Sequence, residues 1–191
     1  MIERATGWTH PWSEFELEPD DGSVPFVSVP PAPLDPAALR GMFAQHPTGI
    51  AAICAEAEGS PHGMVATSFS VGASFDPPLV LFSAHAGSRT WPRLAAARRL
   101  GVSVLAETNA AAVRRLASRR GDRFEGVGIT RSRDGAVFVA GARLWLECRL
   151  VSQQPLGDHT LVVLEVLGAS SLEDAVPLVY HDGQVVIAGS Q

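Results

Sequence analysis

Cysteine is nearly absent from this chain: Cys54 and Cys148 are the two in 191 residues. Both fall in strand-like apolar runs, and their spacing matches no metal-binding arrangement. They are expected to be buried thiols in a reducing cytoplasm, with no disulfide. Apolar runs of the ~20 residues needed to span a bilayer are missing, so no membrane span is expected. The opening stretch, MIERATGWTHPW, lacks the apolar core of a signal peptide. Positive charge is in deficit as well. Fifteen Lys and Arg stand against 20 Asp and Glu, for a net charge of −5. Such a balance gives no general attraction to nucleic acid. No GxGxxG follows a strand, and neither a Walker loop nor HExxH is present. No pair of Cys or His has zinc spacing, so no metal is expected. Nothing marks a nucleophile elbow.

What is present fits a globular protein. Apolar content of 46% and charged content of 18% argue against overall disorder. The length allows one domain with a substantial core, or a domain and an arm. Residues 1–33 read as an arm, and 34–191 as the domain. In the arm, Trp8 and Trp12 flank His10-Pro11, an acidic patch follows, and a Pro-rich run extends to Pro36. Proline favours extended backbone there. The two tryptophans are expected to sit against the domain or a partner subunit.

Asp35 is placed to cap a helix with Pro36 in its first turn. Leu39, Met42 and Phe43 form its apolar face, and Pro47 ends it. Residues 48–56, TGIAAICAE, read as a buried strand. Residues 88–100 read as a helix with Trp91 and Leu94 inward, then 101–105 as a strand. Asn109 is expected to cap a helix over 110–118. Strands are expected over 137–139, 142–151, 159–169 and 178–187. Gly157-Asp158 and Asp182-Gly183 are hairpin turns. In ARLWLECRLV the apolar residues alternate, the period of a strand with one buried face. The fold class is therefore mainly β with helical decorations, a small β-barrel.

The most informative stretch is HGMVATSFSVGASFDPPLVLFS, residues 62–83. Two apolar runs enclose small and hydroxylated residues, which let a flat ligand approach the backbone. Turn chemistry alone also accounts for them. Ser88-Arg89-Thr90 joins two hydroxyls and an arginine at a helix start, which suits a phosphate or a plain cap. His159, beside Asp158 at a turn, reads as a ligand contact or as a structural histidine. His85 ends a strand, with backbone available to a ligand. Arg115, Arg119, Arg120 and Arg123 read as a basic strip, which a solvated surface explains equally well.

In order along the chain, PTGIAAI, GMVATSFSVGASFDPPLVLFS, GSRTW, GDRFEGV, GDHTLVVLEV and PLVYHDG resemble the short-chain flavin reductases. These are reductase components of two-component flavin monooxygenases, with an FMN-binding split β-barrel. The likeness runs from about Leu39 to Ile187. It implies an NAD(P)H:flavin oxidoreductase that reduces FMN or FAD with NADH or NADPH. Reduced flavin would diffuse to a separate monooxygenase, and the protein would be a homodimer. By resemblance, Pro61, His62, Gly63, Met64, Val65, Thr67 and Ser68 line the flavin. Ser83, Ala84 and His85 touch it from the neighbouring strand end. Ser88, Arg89 and Thr90 hold its phosphate, and Arg115 meets its distal part. Where the family often has an aromatic beside that arginine, this chain has Leu116. His159 would be the catalytic side chain at the nicotinamide, with the loop before Pro177 closing over the dinucleotide. Two other readings stay open: a flavin-binding protein without turnover, and a direct flavin-dependent oxidase of a small substrate.

Overall fold

The computed structural model describes residues 35–118 and 120–189. The expectations for residues 1–33, including Trp8 and Trp12, and for Arg119 lie outside these. The chain divides into two units between Arg40 and Gly41. The described part of the first is the start of α1 (Pro36–Phe43). Asp35 caps it as expected, its Oδ2 accepting from the N–H groups of Ala37 and Ala38 at 3.1 and 2.9 Å. The expected inward face is not formed among the described residues. No residue of α1 is buried, and Phe43 is 70% exposed.

The strands of the second unit follow in order: β1 (Thr48–Gly49), β2 (Ala51–Ala57), β3 (Ser60–Ala66), β4 (Ser70–Phe75) and β5 (Pro78–His85). Then come α2 (Trp91–Ala95), β6 (Leu100–Val104), α3 (Ala110–Ala117), β7 (Ile129–Arg131) and β8 (Val137–Val139). The long hairpin of β9 (Leu144–Leu156) and β10 (His159–Ser171) precedes β11 (Leu178–His181) and β12 (Gln184–Ile187). One antiparallel sheet runs β3-β2-β6-β9-β10-β5-β4. Smaller sheets join β1-β11-β12 and β7-β8.

Connectivity forces the large sheet to roll. Its two edge strands, β3 and β4, are consecutive and joined by only Thr67, Ser68 and Phe69. Laid flat, seven strands would put those edges about 29 Å apart. The link reaches at most about 14 Å. The sheet therefore curls into a barrel, and Ser68 pins the join. Its Oγ accepts from the Ser83 N–H at 2.9 Å and donates to the Ser83 carbonyl at 3.2 Å.

Strand β2 is buried on both faces. Ala51, Ile53 and Ala55 fill the barrel interior with Phe82, Leu94, Leu100, Val102 and Leu164. Ile50, Ala52 and Cys54 face a second core with Leu105, Leu116, Val137, Val139 and Leu178. Double burial is why this segment is continuously apolar instead of alternating. Trp91 closes one end of the barrel core, edge-on to Phe82 at 5.3 Å. Both cysteines are free and buried, and burial pushes each thiol up to about 12.

Several boundaries differ from expectation. The 88–100 helix shortens to α2, because the chain after Ala95 must enter β6, where Leu100 and Val102 fill the core. The 48–56 strand breaks at Ile50, whose carbonyl turns to accept from Leu105 N–H. The 178–187 segment is two strands, β11 and β12, folded about the expected Asp182-Gly183 turn, with both turn residues at positive φ. Asn109 stands at the N-cap position of α3 as expected, but its side chain makes no cap bond to that helix. Its Oδ1 accepts from Ala106 N–H at 3.0 Å, and its Nδ2 donates to the Ala140 carbonyl at 2.8 Å. A buried amide satisfied on both sides holds the α3 approach to the strand bearing Ala140's neighbours. No described helix is long and apolar enough to cross a membrane.

Candidate functional site

Strand β3, the end of β5, the turn into α2, the end of α3 and the loop 120–127 meet on one side of the barrel. Two adjoining recesses lie there. The larger, about 490 Å³, is walled by Met64, Val65, Leu116 and Ala117, with His85, Gly87, Ser88, Arg89, Thr90 and Arg123 around its polar side. The smaller, about 390 Å³, is lined by Pro61, His62, Gly63, Arg93, Gly121, Asp122 and Phe124. Arg89, Thr90 and Arg123 belong to both.

The loop that forms the far wall is fixed at several points. Gly121 takes φ 74°, a left-handed turn suited to glycine. Asp122 Oδ1 then accepts from Phe124 N–H at 2.8 Å. Arg115 of α3 pairs with Glu125 at 3.1 Å. Phe124 lies against Gly63, where any Cβ would meet its Cζ at 2.8 Å. Arg123 reaches across the gap, its Nη1 donating to the Gly63 carbonyl at 2.9 Å and to Thr90 Oγ1 at 2.8 Å. Among the described residues, neither Arg89 nor Arg123 has a carboxylate within ion-pair distance, whereas Arg93, the third arginine of the lining, has Glu58 at 3.9 Å.

Nine residues singled out by the sequence line these recesses: Pro61, His62, Gly63, Met64, Val65, His85, Ser88, Arg89 and Thr90. Ser88 also caps α2, accepting from Trp91 N–H at 3.1 Å. The others stand apart from the lining. Ser68 and Ser83 are committed to each other, and Ala84 is fully buried in the barrel core, so it offers a ligand backbone only. Thr67 is half-buried beside the Ser68 pin. Arg115 is exposed and paired with Glu125. Pro177 belongs to the second sheet region, bridging Ala106 and accepting from Ala188 N–H at 3.0 Å.

His159 lies next to the larger recess through its register partner His85. The two rings are edge-on at 5.3 Å. His85 Nδ1 accepts from Gly87 N–H at 2.9 Å, which leaves its ring proton on Nε2. His159 Nδ1 is 2.7 Å from Asp158 Oδ1. The hydrogen bond from His159, and then its charge, hold the Asp158 carboxyl below its ordinary 3.8. With Nδ1 engaged by Asp158, Nε2 is the ring nitrogen left for a ligand.

Arg123 and the apolar pair Leu116 and Phe124 are the site residues that sequence reasoning missed. Arg123 read as one of a solvated basic run. The available signal was the Gly-Asp turn directly before an Arg-Phe pair, which anchors the arginine on a ring that packs inward.

One end of the larger recess is apolar, and the other carries hydroxyls and two arginines without carboxylates. That donor set fits a planar heterocycle with an anionic tail, as a flavin nucleotide has. Residues 43–189 match the Flavin reductase like domain family. A flavin reductase of Pseudomonas putida is 35% identical over 153 residues, covering 78% of this chain and 89% of that protein. The reductase subunit HsaB of a flavin-dependent monooxygenase from Rhodococcus jostii is 32% identical over 79% of this chain and 77% of its own length. The NADH:FAD oxidoreductase SgcE6 of Streptomyces globisporus, solved with NAD and FAD fragments, superposes with a TM-score of 0.75 at 31% identity, over 80% of this chain and 92% of that one. With a mainly β split barrel and this match over most of its length, the chain belongs to the flavin reductase like family.

Proposed function

We propose that this chain is an NAD(P)H:flavin oxidoreductase that reduces FMN or FAD and supplies diffusible reduced flavin to a partner monooxygenase. The observation that carries this reading is the amphipathic recess, apolar at Met64, Val65 and Leu116 and cationic at Arg89 and Arg123. Relatives that serve monooxygenases support the partner class.

A bound flavin supplies the hydride acceptor, and the pyridine nucleotide supplies the hydride. The protein binds, orients and excludes water. Met64, Val65, Leu116 and Ala117 shield the ring face. Ser88, Arg89 and Thr90 hold the phosphate, and Arg115 lies toward the distal part. Backbone around Thr67 and Ser68 steadies charge developing at the ring edge. His159 positions the nicotinamide through Nε2, while Asp158 fixes its Nδ1–H. The segment before Pro177 closes over the dinucleotide. In the same reading 34–191 is the reductase domain, 1–33 is an arm, and the protein is a cytoplasmic homodimer. Exposed Val71 and Phe75 on edge strand β4 support an interface between copies.

The test is a steady-state matrix of NADH and NADPH against FMN, FAD and riboflavin. Turnover with at least one pair is expected. No oxidation above background with any pair would remove the reading. Tight flavin binding without turnover would leave a carrier in its place.

A further inference from the structure

Arg123, like Arg89 and Thr90, lines both recesses. It is half-buried, and its Nη1 is already held by the Gly63 carbonyl and the Thr90 hydroxyl. Those two bonds fix the plane of the guanidinium. They leave Nη2 and Nε, whose hydrogens have no carboxylate acceptor among the described residues. A half-buried cation set rigidly in a recess, beside a second unpaired arginine, is a poor structural device, because desolvation costs it hydration with no anion in return. It is a good receptor for an anion. The planar fork suits phosphate better than a point charge does. Asp122 in the same wall accepts from Phe124 N–H through Oδ1, and so shapes the turn that presents Arg123.

Resting on the flavin reading above, we propose that Arg123 binds the flavin phosphate together with Arg89, and sets the preference of this enzyme for phosphorylated flavins over riboflavin. It acts twice there: it donates to the phosphate, and it holds the Thr90 hydroxyl in place. Because Thr90 Oγ1 accepts from Arg123, its own proton is free to point at the same anion. The loop bearing Arg123 is thus part of the binding site and not only its rim.

The experiment is equilibrium binding of FMN and riboflavin, followed by quenching of flavin fluorescence, for wild type and Arg123→Met. Riboflavin has the same ring and ribityl chain but no phosphate. FMN affinity is expected to fall on the order of tenfold or more, the worth of a hydrogen bond to a charged group. Riboflavin affinity is expected to move far less, so the FMN-to-riboflavin ratio collapses. Equal losses for both flavins would make Arg123 a scaffold residue and overturn the proposal, as would an unchanged ratio. Should Arg123→Met fail to fold, Arg123→Lys carries the same ratio test. It keeps the charge but loses the fork, and a partial fall in the ratio is expected. A wild-type protein that neither binds nor reduces any flavin would instead overturn the functional reading itself, and this subsite with it.

Discussion

Gly63→Ala should damage stability and the recess together, because one missing Cβ makes room for both. Gly63 is on β3 directly opposite Cys54 of β2. A Cβ there would sit 2.7 Å from Cys54 Sγ and 2.8 Å from Phe124 Cζ. Both lie inside van der Waals contact, so something must shift. Cys54 is fully buried between two strands and has little freedom. Phe124 is half-buried on a loop and is the group that gives way. Overpacking of this kind costs about 1–3 kcal/mol. That lowers the folded-to-unfolded ratio about 5- to 150-fold. Displacing Phe124 also draws Arg123 from the Gly63 carbonyl and from Thr90. Urea unfolding with a wild-type slope should therefore show a lower midpoint, and FMN binding of the folded fraction should weaken. Shortening the offending ring should restore part of the loss, so Gly63→Ala/Phe124→Leu is expected to bind FMN better than Gly63→Ala alone. A single mutant with wild-type midpoint and wild-type FMN affinity would refute the account of why glycine stands here.

Gly101→Ala should be worse. Its Cβ would lie 2.1 Å from the Val137 carbonyl oxygen, which is backbone and cannot rotate away, so the cost reaches or passes the top of the ~1–3 kcal/mol overpacking range. A urea midpoint near wild type would contradict this. His159→Ala should raise KM for the pyridine nucleotide several-fold, roughly the loss of one neutral hydrogen bond, with a smaller change for flavin; equal changes in both would remove the nicotinamide role. Asp158 is held below 3.8 by His159, so it contributes stability above the unfolded carboxyl value and loses it as pH falls through the lower folded value. The stability gap between wild type and Asp158→Asn should thus shrink as pH drops below 3.8, measured as urea midpoints against pH, and a gap that widens there would show the sign to be wrong.

The parts of this protein legible in its sequence are those written in local periodicity and turn chemistry. The alternation in 143–151 gave β9, and Asp-Gly and Gly-Asp pairs gave two hairpins, because those signals depend on neighbours along the chain. The lining residues from Pro61 to Val65 and Ser88 to Thr90 were legible because small and hydroxylated residues cluster in sequence there. Three things were not legible, and each depends on distant partners. Asn109 sits at the cap position, but its Oδ1 accepts from Ala106 N–H instead of from the helix, and its Nδ2 is held by a carbonyl 31 residues away. Ser68 looked free to meet a ligand, but barrel closure places the Ser83 backbone on both sides of its hydroxyl.

Arg123 makes the same point most sharply. In sequence it is one of several arginines in a polar loop, the usual pattern of a solvated surface. Its neighbours Arg115 and Arg131 follow that pattern, each on an exposed carboxylate partner. What separates Arg123 is a glycine 60 residues earlier, which lets Phe124 settle on β3 and carries the guanidinium to the Gly63 carbonyl. Composition counts all these charges alike. The fold separates them: some are neutralised by protein carboxylates, some, such as Arg114 and Arg133, stand exposed without one, and Arg89 and Arg123 line a recess, where an anionic ligand gains most. The basic strip in an acidic chain is therefore not one population, and its functional members are found by asking which arginines line the recess without a protein carboxylate.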